Sequence, residues 1–360
     1  MKKRELLVFA GQSNMMGAAV YPPKIPVNCR DSFEYKHKEK RLFGAGRFVS
    51  AAHPAGEFSY NNLAYAYAPE NVKDGKSTVN EYQKNTWFIA SINNFKGYDT
   101  KELRQFAEYS ESDFPAGVSL PPLFAMEWEA LGGSCAYAHI AKGSTSIRHY
   151  FTLEMGERYK EKMAEFNREN GTEFDPDLHL DPNYRGASKY FEEKTLDFFS
   201  EAQEKFAGED LSERIFVWLQ GESDWKYSTQ EYRLMLNVLW KKLKSLGFTR
   251  FFMLRVDFFG EPALVNVMRA QEQFCDENED CYMMSRMLSF VSIPDKKMRE
   301  INAALPRELD DCRDCFYGFS NWHINEKGFS LAAKKMAANA YRILRENLPP
   351  ELEDELVPGI

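Results

Sequence analysis

The sequence predicts an α/β protein, with a central parallel sheet covered by helices on both faces, and three observations predict it. Short, nearly continuous apolar runs recur along the chain, amphipathic helical stripes lie between them, and turn or capping residues bound both. A continuous run, as opposed to an alternating one, marks a strand buried on both faces.

Taken in order, residues 5–10 form the first such run, followed by 135–141, 214–219, 250–257 and 282–287. Phe191, Phe198, Phe199, Ala202 and Phe206 mark a helical stripe before the third run. Tyr232, Leu236, Leu239, Leu243 and Leu246 mark another, with Ser228 and Glu231 as a capping box and Gly247 as its stop. A last helix is expected from Phe329, Ala332, Ala333, Met336, Ala340 and Ile343, with Asn325 as its amino-terminal cap. Two stretches interrupt the alternation. Residues 18–120 and 150–186 read as long insertions, the first with helical patterning only at 60–67 and 101–109. The remainder, 1–348, reads as one domain, and the acidic stretch 349–360 reads as a solvated tail.

Composition narrows the function. The chain has 360 residues, 44% hydrophobic, with a net charge of −8, which repels phosphate backbones and anionic membranes. A neutral small substrate fits better than a nucleic acid. The apolar run after Met1-Lys2-Lys3-Arg4 ends at Ala10, too short for a signal peptide, so a cytoplasmic location is expected. The six cysteines then read as free thiols. Cys312 and Cys315 form a C-x-x-C, but Cys275 and Cys281 upstream have five residues between them, outside zinc spacing. Asp175, Asp177, His179 and Asp181, between prolines, read as a surface turn in preference to a metal site.

Three segments carry chemistry. Gly11-Gln12-Ser13-Asn14-Met15-Met16-Gly17 follows the first strand, at a carboxyl end where open α/β sheets bind ligands. Ser13 there is either a nucleophile or a helix cap. A serine hydroxyl needs a base. His323, just before the last helix, is the candidate; His139 lies inside an apolar strand and reads as a core residue, His149 as cleft-lining, and His37, His53 and His179 fall in insertions. The third segment, Gln220-Gly221-Glu222-Ser223-Asp224, ends the third strand. Gln220 offers an amide to an oxyanion together with the backbone N–H groups of Ser13 and Gly143, each such donor contributing about 2.7–4 kcal/mol in a transition state. Glu222 and Asp224 are the candidate carboxylates, with a helix-capping turn as the alternative reading of both.

Together these segments resemble the SGNH hydrolase superfamily, and within it the sialate O-acetylesterase and carbohydrate (acetyl xylan) esterase branch. The resemblance rests on Gly-Gln-Ser-Asn-Met-x-Gly, on Gln-Gly-Glu-Ser-Asp, and on Gly143-Ser144-Thr145-Ser146-Ile147, where Lys142 replaces a common glycine. It runs in blocks from residue 1 to about 344, with 18–120 and 150–186 poorly matched.

It implies a three-layer α/β/α, flavodoxin-like fold, a nucleophile at Ser13, a base at His323, and oxyanion donors at Ser13, Gly143 and Gln220. The family's Asp three residues before the histidine is Ser320 here. Related esterases use the glutamate of Gln-Gly-Glu instead, which nominates Glu222. Asn14 and Arg148 are the expected substrate contacts, Arg148 for an anionic sugar. Trp87, Tyr150 and Trp225 offer aromatic faces to a sugar, though each reads more simply as core.

The expected activity is removal of acetyl groups from a small acetylated saccharide, with no metal or organic cofactor. A catalytically silent carbohydrate-binding protein, and an esterase acting on lipid or thioester acyl groups, are the alternatives. The sequence leaves the oligomeric state open.

Overall fold

In a computed structural model the described residues are 1–16, 25–36, 47–52, 72–73, 76–77, 119–141, 145–177, 185–257, 263–291, 324, 326–355, 357 and 360. They contain a seven-stranded sheet. Its strands are β1 (Glu5–Gly11), β2 (Phe33–Lys36), β3 (Arg47–Ser50), β4 (Cys135–Ala141), β5 (Arg214–Leu219), β6 (Arg250–Leu254) and β7 (Cys281–Ser285). The helices are α1 (Ser13–Met16), α2 (Leu120–Ala130), α3 (Leu153–Asn170), α4 (Arg185–Lys205), α5 (Thr229–Ser245), α6 (Leu264–Glu277), α7 (Met287–Val291) and α8 (Glu326–Tyr341).

The strand order is β3-β2-β4-β1-β5-β6-β7, parallel throughout except for β3, which pairs antiparallel to β2 at one edge. The chain leaves β1 toward one edge and later returns to its other side at β5. This reversal puts the carboxyl end of β1 at the topological switch point, where connections diverge and leave a crevice.

All seven residues of β1 and of β4 are buried, as their nearly continuous apolar patterns predict. Register shows both faces covered. Phe9 meets Phe124 of α2 on one face, whereas Phe216, the lateral partner of Val8, meets Phe191 of α4 on the other. The three-layer α/β/α expectation holds.

The capping expectations hold at α5, where the Ser228 hydroxyl accepts from Glu231 N–H, the Glu231 carboxylate answers at Ser228 N–H, and Gly247 follows the helix with φ 93°. Four expectations change. Residues 33–36 and 47–50, within the supposed insertion, are strands of the main sheet. Residues 153–170, within the second, form α3, which buries Met155, Tyr159 and Met163 at four-residue spacing. The fourth run ends as a strand at Leu254, so Asp257 belongs to the connection beyond it.

The fourth change concerns the acidic tail, in which Glu353 and Glu355 turn to the sheet while Glu351 and Asp354 stay exposed. Glu353 accepts from Ser285 and from the Arg286 backbone, and Glu355 pairs with the fully buried Arg255. Buried guanidinium needs such partners, which outweighs solvation of the tail. The helical patterns at 60–67 and 101–109, and the cap at Asn325, lie outside the described residues.

Candidate active site

The switch-point rim begins at Gly11. A Cβ there would stand 1.9 Å from the Leu219 carbonyl oxygen, and φ is 153°, so only glycine lets β1 and β5 close together at their ends. Tyr150 finishes this corner: its hydroxyl donates to Gly11 O at 3.0 Å and accepts from Gly11 N–H at 2.9 Å. Tyr150 is thus a core residue. Ser13, the first residue of α1, is half-buried at the rim.

Beside it, Asn14 is buried, and its amide works inside the protein. Nδ2 donates to Glu222 Oε1 at 3.1 Å and to Asp257 Oδ2, and Oδ1 accepts the Ile324 N–H at 3.1 Å. Both Asn14 N–H groups thus have acceptors within the protein. One amide therefore gathers the carboxyl ends of β1, β5 and β6 and the segment that enters α8.

Both carboxyls at this amide are pushed above the usual carboxylate range. For Glu222 the cause is burial, partly offset by hydrogen bonds from Gln12 and Asn14. For Asp257 it is burial and then the proximity of Glu222, and the rise is large. Asp257 escaped the sequence reading. Its signal was available: a carboxylate just past an apolar strand, in the place that Ser13 and Glu222 occupy after theirs.

Asp224 serves a different clasp. It is fully buried; Oδ1 accepts from the Ser146 hydroxyl, and Oδ2 accepts from Ile147 N–H at 3.0 Å and from Gln220 Nε2. Gln220 Nε2 also donates to Thr145 O at 2.8 Å, and its Oε1 accepts from Tyr232 at 2.8 Å. Both Gln220 N–H groups thus face protein acceptors, which leaves none free for a substrate oxygen in this conformation. Burial pushes Asp224 up to about 6 against the pull of these donors. The capping reading of Asp224 survives in altered form, since it caps the short turn Ile147–Tyr150 and not the helix that follows it in sequence.

The histidines divide as follows. His139 is fully buried, its Nε2 lies 2.7 Å from Met15 O, and burial pushes its imidazole down to about 3, so it stays neutral. His149 is buried, and its Nδ1 accepts Ser146 N–H at 2.9 Å. Arg148, half-buried on the same turn, acts electrostatically on Asp224. Trp225 stands 59% exposed directly after Asp224.

His323, Gly143, Ser144, Lys142, Ser320, Trp87, His37, His53, His179, Asp181, Cys312 and Cys315 lie outside the described residues. Cys275 and Cys281 are free thiols, and Asp175 Oδ1 accepts Asp177 N–H at 2.8 Å, closing a local turn. Among the described residues no group of three or more His, Cys, Asp or Glu is arranged to hold a metal, and no helix is long and apolar enough to cross a membrane.

No protein-family model matches the chain, and no curated protein does. Among solved structures it is similar to the crystal structure of NanS, with a TM-score of 0.47 and 10% identity over 96% of this chain and 98% of that one. It is also similar to XAC1771, described as a carbohydrate acetylesterase from Xanthomonas citri. There the TM-score is 0.41 and identity 11%, over 94% of this chain and 56% of that one.

Proposed function

We propose that this protein is a serine esterase that removes O-acetyl groups from a small carbohydrate through an acetyl-serine intermediate. The observation that carries the reading is the Asn14 amide. It belongs to the residue after Ser13, it binds Glu222, and it accepts the backbone N–H of the residue after His323. Three segments that are remote in sequence, each bearing one expected catalytic residue, meet at one buried side chain.

In this mechanism His323 takes the Ser13 proton as the serine oxygen attacks the acetyl carbonyl. The oxyanion is held by the backbone N–H groups of Ser13 and Gly143. Gln220, with its amide engaged, holds the Thr145–Ile147 segment next to Gly143 in sequence; it becomes a third donor only by exchanging one of those bonds for the substrate oxygen. The tetrahedral intermediate collapses, the sugar oxygen leaves with the proton from His323, and acetyl-Ser13 remains. Water, deprotonated by His323, then releases acetate and restores the serine. Glu222 stabilises the imidazolium, in place of the carboxylate missing at Ser320. Arg148 is assigned to substrate charge at the rim.

The test is hydrolysis of p-nitrophenyl acetate and of acetylated sialic acids and xylo-oligosaccharides. Wild type is expected to release acetate and Ser13→Ala and His323→Ala to lose at least about a thousandfold in kcat/KM. Equal rates in wild type and Ser13→Ala would end the proposal.

A further inference from the structure

Asp257 has no place in the mechanism above, yet it is fully buried at the same rim, on the connection after β6. Its Oδ2 accepts from Asn14 Nδ2, and its Oδ1 has no hydrogen-bond partner among the described residues. No cation pairs with it there. Arg255, two residues earlier, directs its guanidinium to Ser289, Glu272 and Glu355. The charge acting on Asp257 is instead that of Glu222.

An amide side chain has two nearly isosteric orientations, and its neighbours choose between them. At Asn14 the choice is forced. With Nδ2 toward Glu222 and Asp257, each carboxyl receives an N–H, and Oδ1 is left facing the Ile324 N–H. The reverse orientation sets an oxygen against two carboxyls and an NH2 against a backbone N–H, breaking three bonds at a buried site. Glu222 accepts one of the two N–H groups and Asp257 accepts the other.

We infer that Asp257 is a positioning residue: with Glu222 it locks Asn14 in the one orientation that holds the Ile324 N–H, and thereby fixes the segment that carries His323. The inference rests on the esterase reading for its catalytic consequence, and on the hydrogen bonds alone for its structural one. In this inference Asp257 acts through Asn14, whose Nδ2 it accepts.

Two readouts separate these. Asp257→Ala is expected to lower kcat by about a hundredfold, the scale of a small misplacement of a catalytic group, with KM little changed. Asp257→Asn, whose Oδ1 still accepts from Asn14, is expected to restore most of that loss. Hydrogen exchange of the peptide containing the Ile324 amide is expected to quicken in Asp257→Ala and to stay slow in Asp257→Asn. Should the alanine variant not fold, Asp257→Ser, too short to reach Asn14 but able to hold water, takes its place in both readouts. Wild-type kcat together with wild-type exchange in the alanine or serine variant overturns the inference, and so does a loss expressed in KM with exchange unchanged. A wild type without Ser13-dependent hydrolysis, but with exchange responding to Asp257, sinks the esterase reading and leaves the Asp257–Asn14–Ile324 linkage standing.

Discussion

The Asn14 side chain holds the backbone N–H of Ile324 at 3.1 Å, joining the end of the first strand to the entrance of the last helix. Removing that side chain does more than free one amide. Asn14→Ala strips Glu222 and Asp257 of a donor that they share, and burying carboxyl oxygens unpaired costs about 2–5 kcal/mol. Asn14→Asp is expected to be worse, since a third carboxyl then joins two others. Urea midpoints check this: the order wild type, Asn14→Ala, Asn14→Asp in falling stability is predicted, and an aspartate variant as stable as wild type contradicts it.

Asp224 gives a pH prediction with a definite sign. Burial moves its carboxyl from 3.8 to about 6. Within that window the folded chain keeps a proton that the unfolded chain has released, so the native state binds more protons and stability falls as pH rises. This contribution is complete below the lower value and is lost as pH passes through the upper one. Asp224→Asn does not titrate. Its stability deficit against wild type is therefore expected to be larger near pH 4 than near pH 7, measured by denaturant unfolding at each pH; a deficit that grows with pH refutes the assignment.

The tail is part of the fold's stability. Arg255 is fully buried, and among the described residues its carboxylate partners are Glu355 and Glu272. Glu355→Gln keeps the shape and removes the charge, and is expected to cost about 1–3 kcal/mol, the scale of a hydrogen bond to a charged group. Exchange of Glu351 for Gln, whose carboxylate is largely exposed beside Arg342, is expected to change the midpoint hardly at all.

Gly11→Ala tests the close approach of β1 and β5. A methyl group 1.9 Å from a backbone oxygen has no flexible neighbour to displace, so the strand end must move. The variant is expected to be insoluble or destabilised by more than about 4 kcal/mol, read from soluble yield and thermal midpoint. Gly171→Ala, also at positive φ but with open space around the Cβ position, is expected to be far milder.

How far the sequence could be read depended on whether the deciding interaction was local. β1, β4 and β5 announce themselves because strands covered on both faces are apolar at nearly every position, and α5 because its cap and stop are adjacent to its stripe. β2 does not, because Phe33-Glu34-Tyr35-Lys36 alternates over four residues and hides a buried Glu34 that no local pattern explains. The tail misled for a similar reason: Glu353 and Glu355 look solvated until Arg255 and Arg286, far away in the chain, are brought beside them. At the site, Ser13, Glu222 and Asp224 stood out by position after strands. Their division of labour did not, since only the folded rim shows Asp224 turned to Ser146 and Glu222 turned to Asn14.

The most direct examination of the account is mass spectrometry of protein quenched during turnover of excess p-nitrophenyl acetate. One acetyl group on the peptide containing Ser13, absent in Ser13→Ala and accumulating less in His323→Ala, is the predicted result. Turnover with no acetyl group on that peptide, or acetylation undiminished in Ser13→Ala, contradicts it.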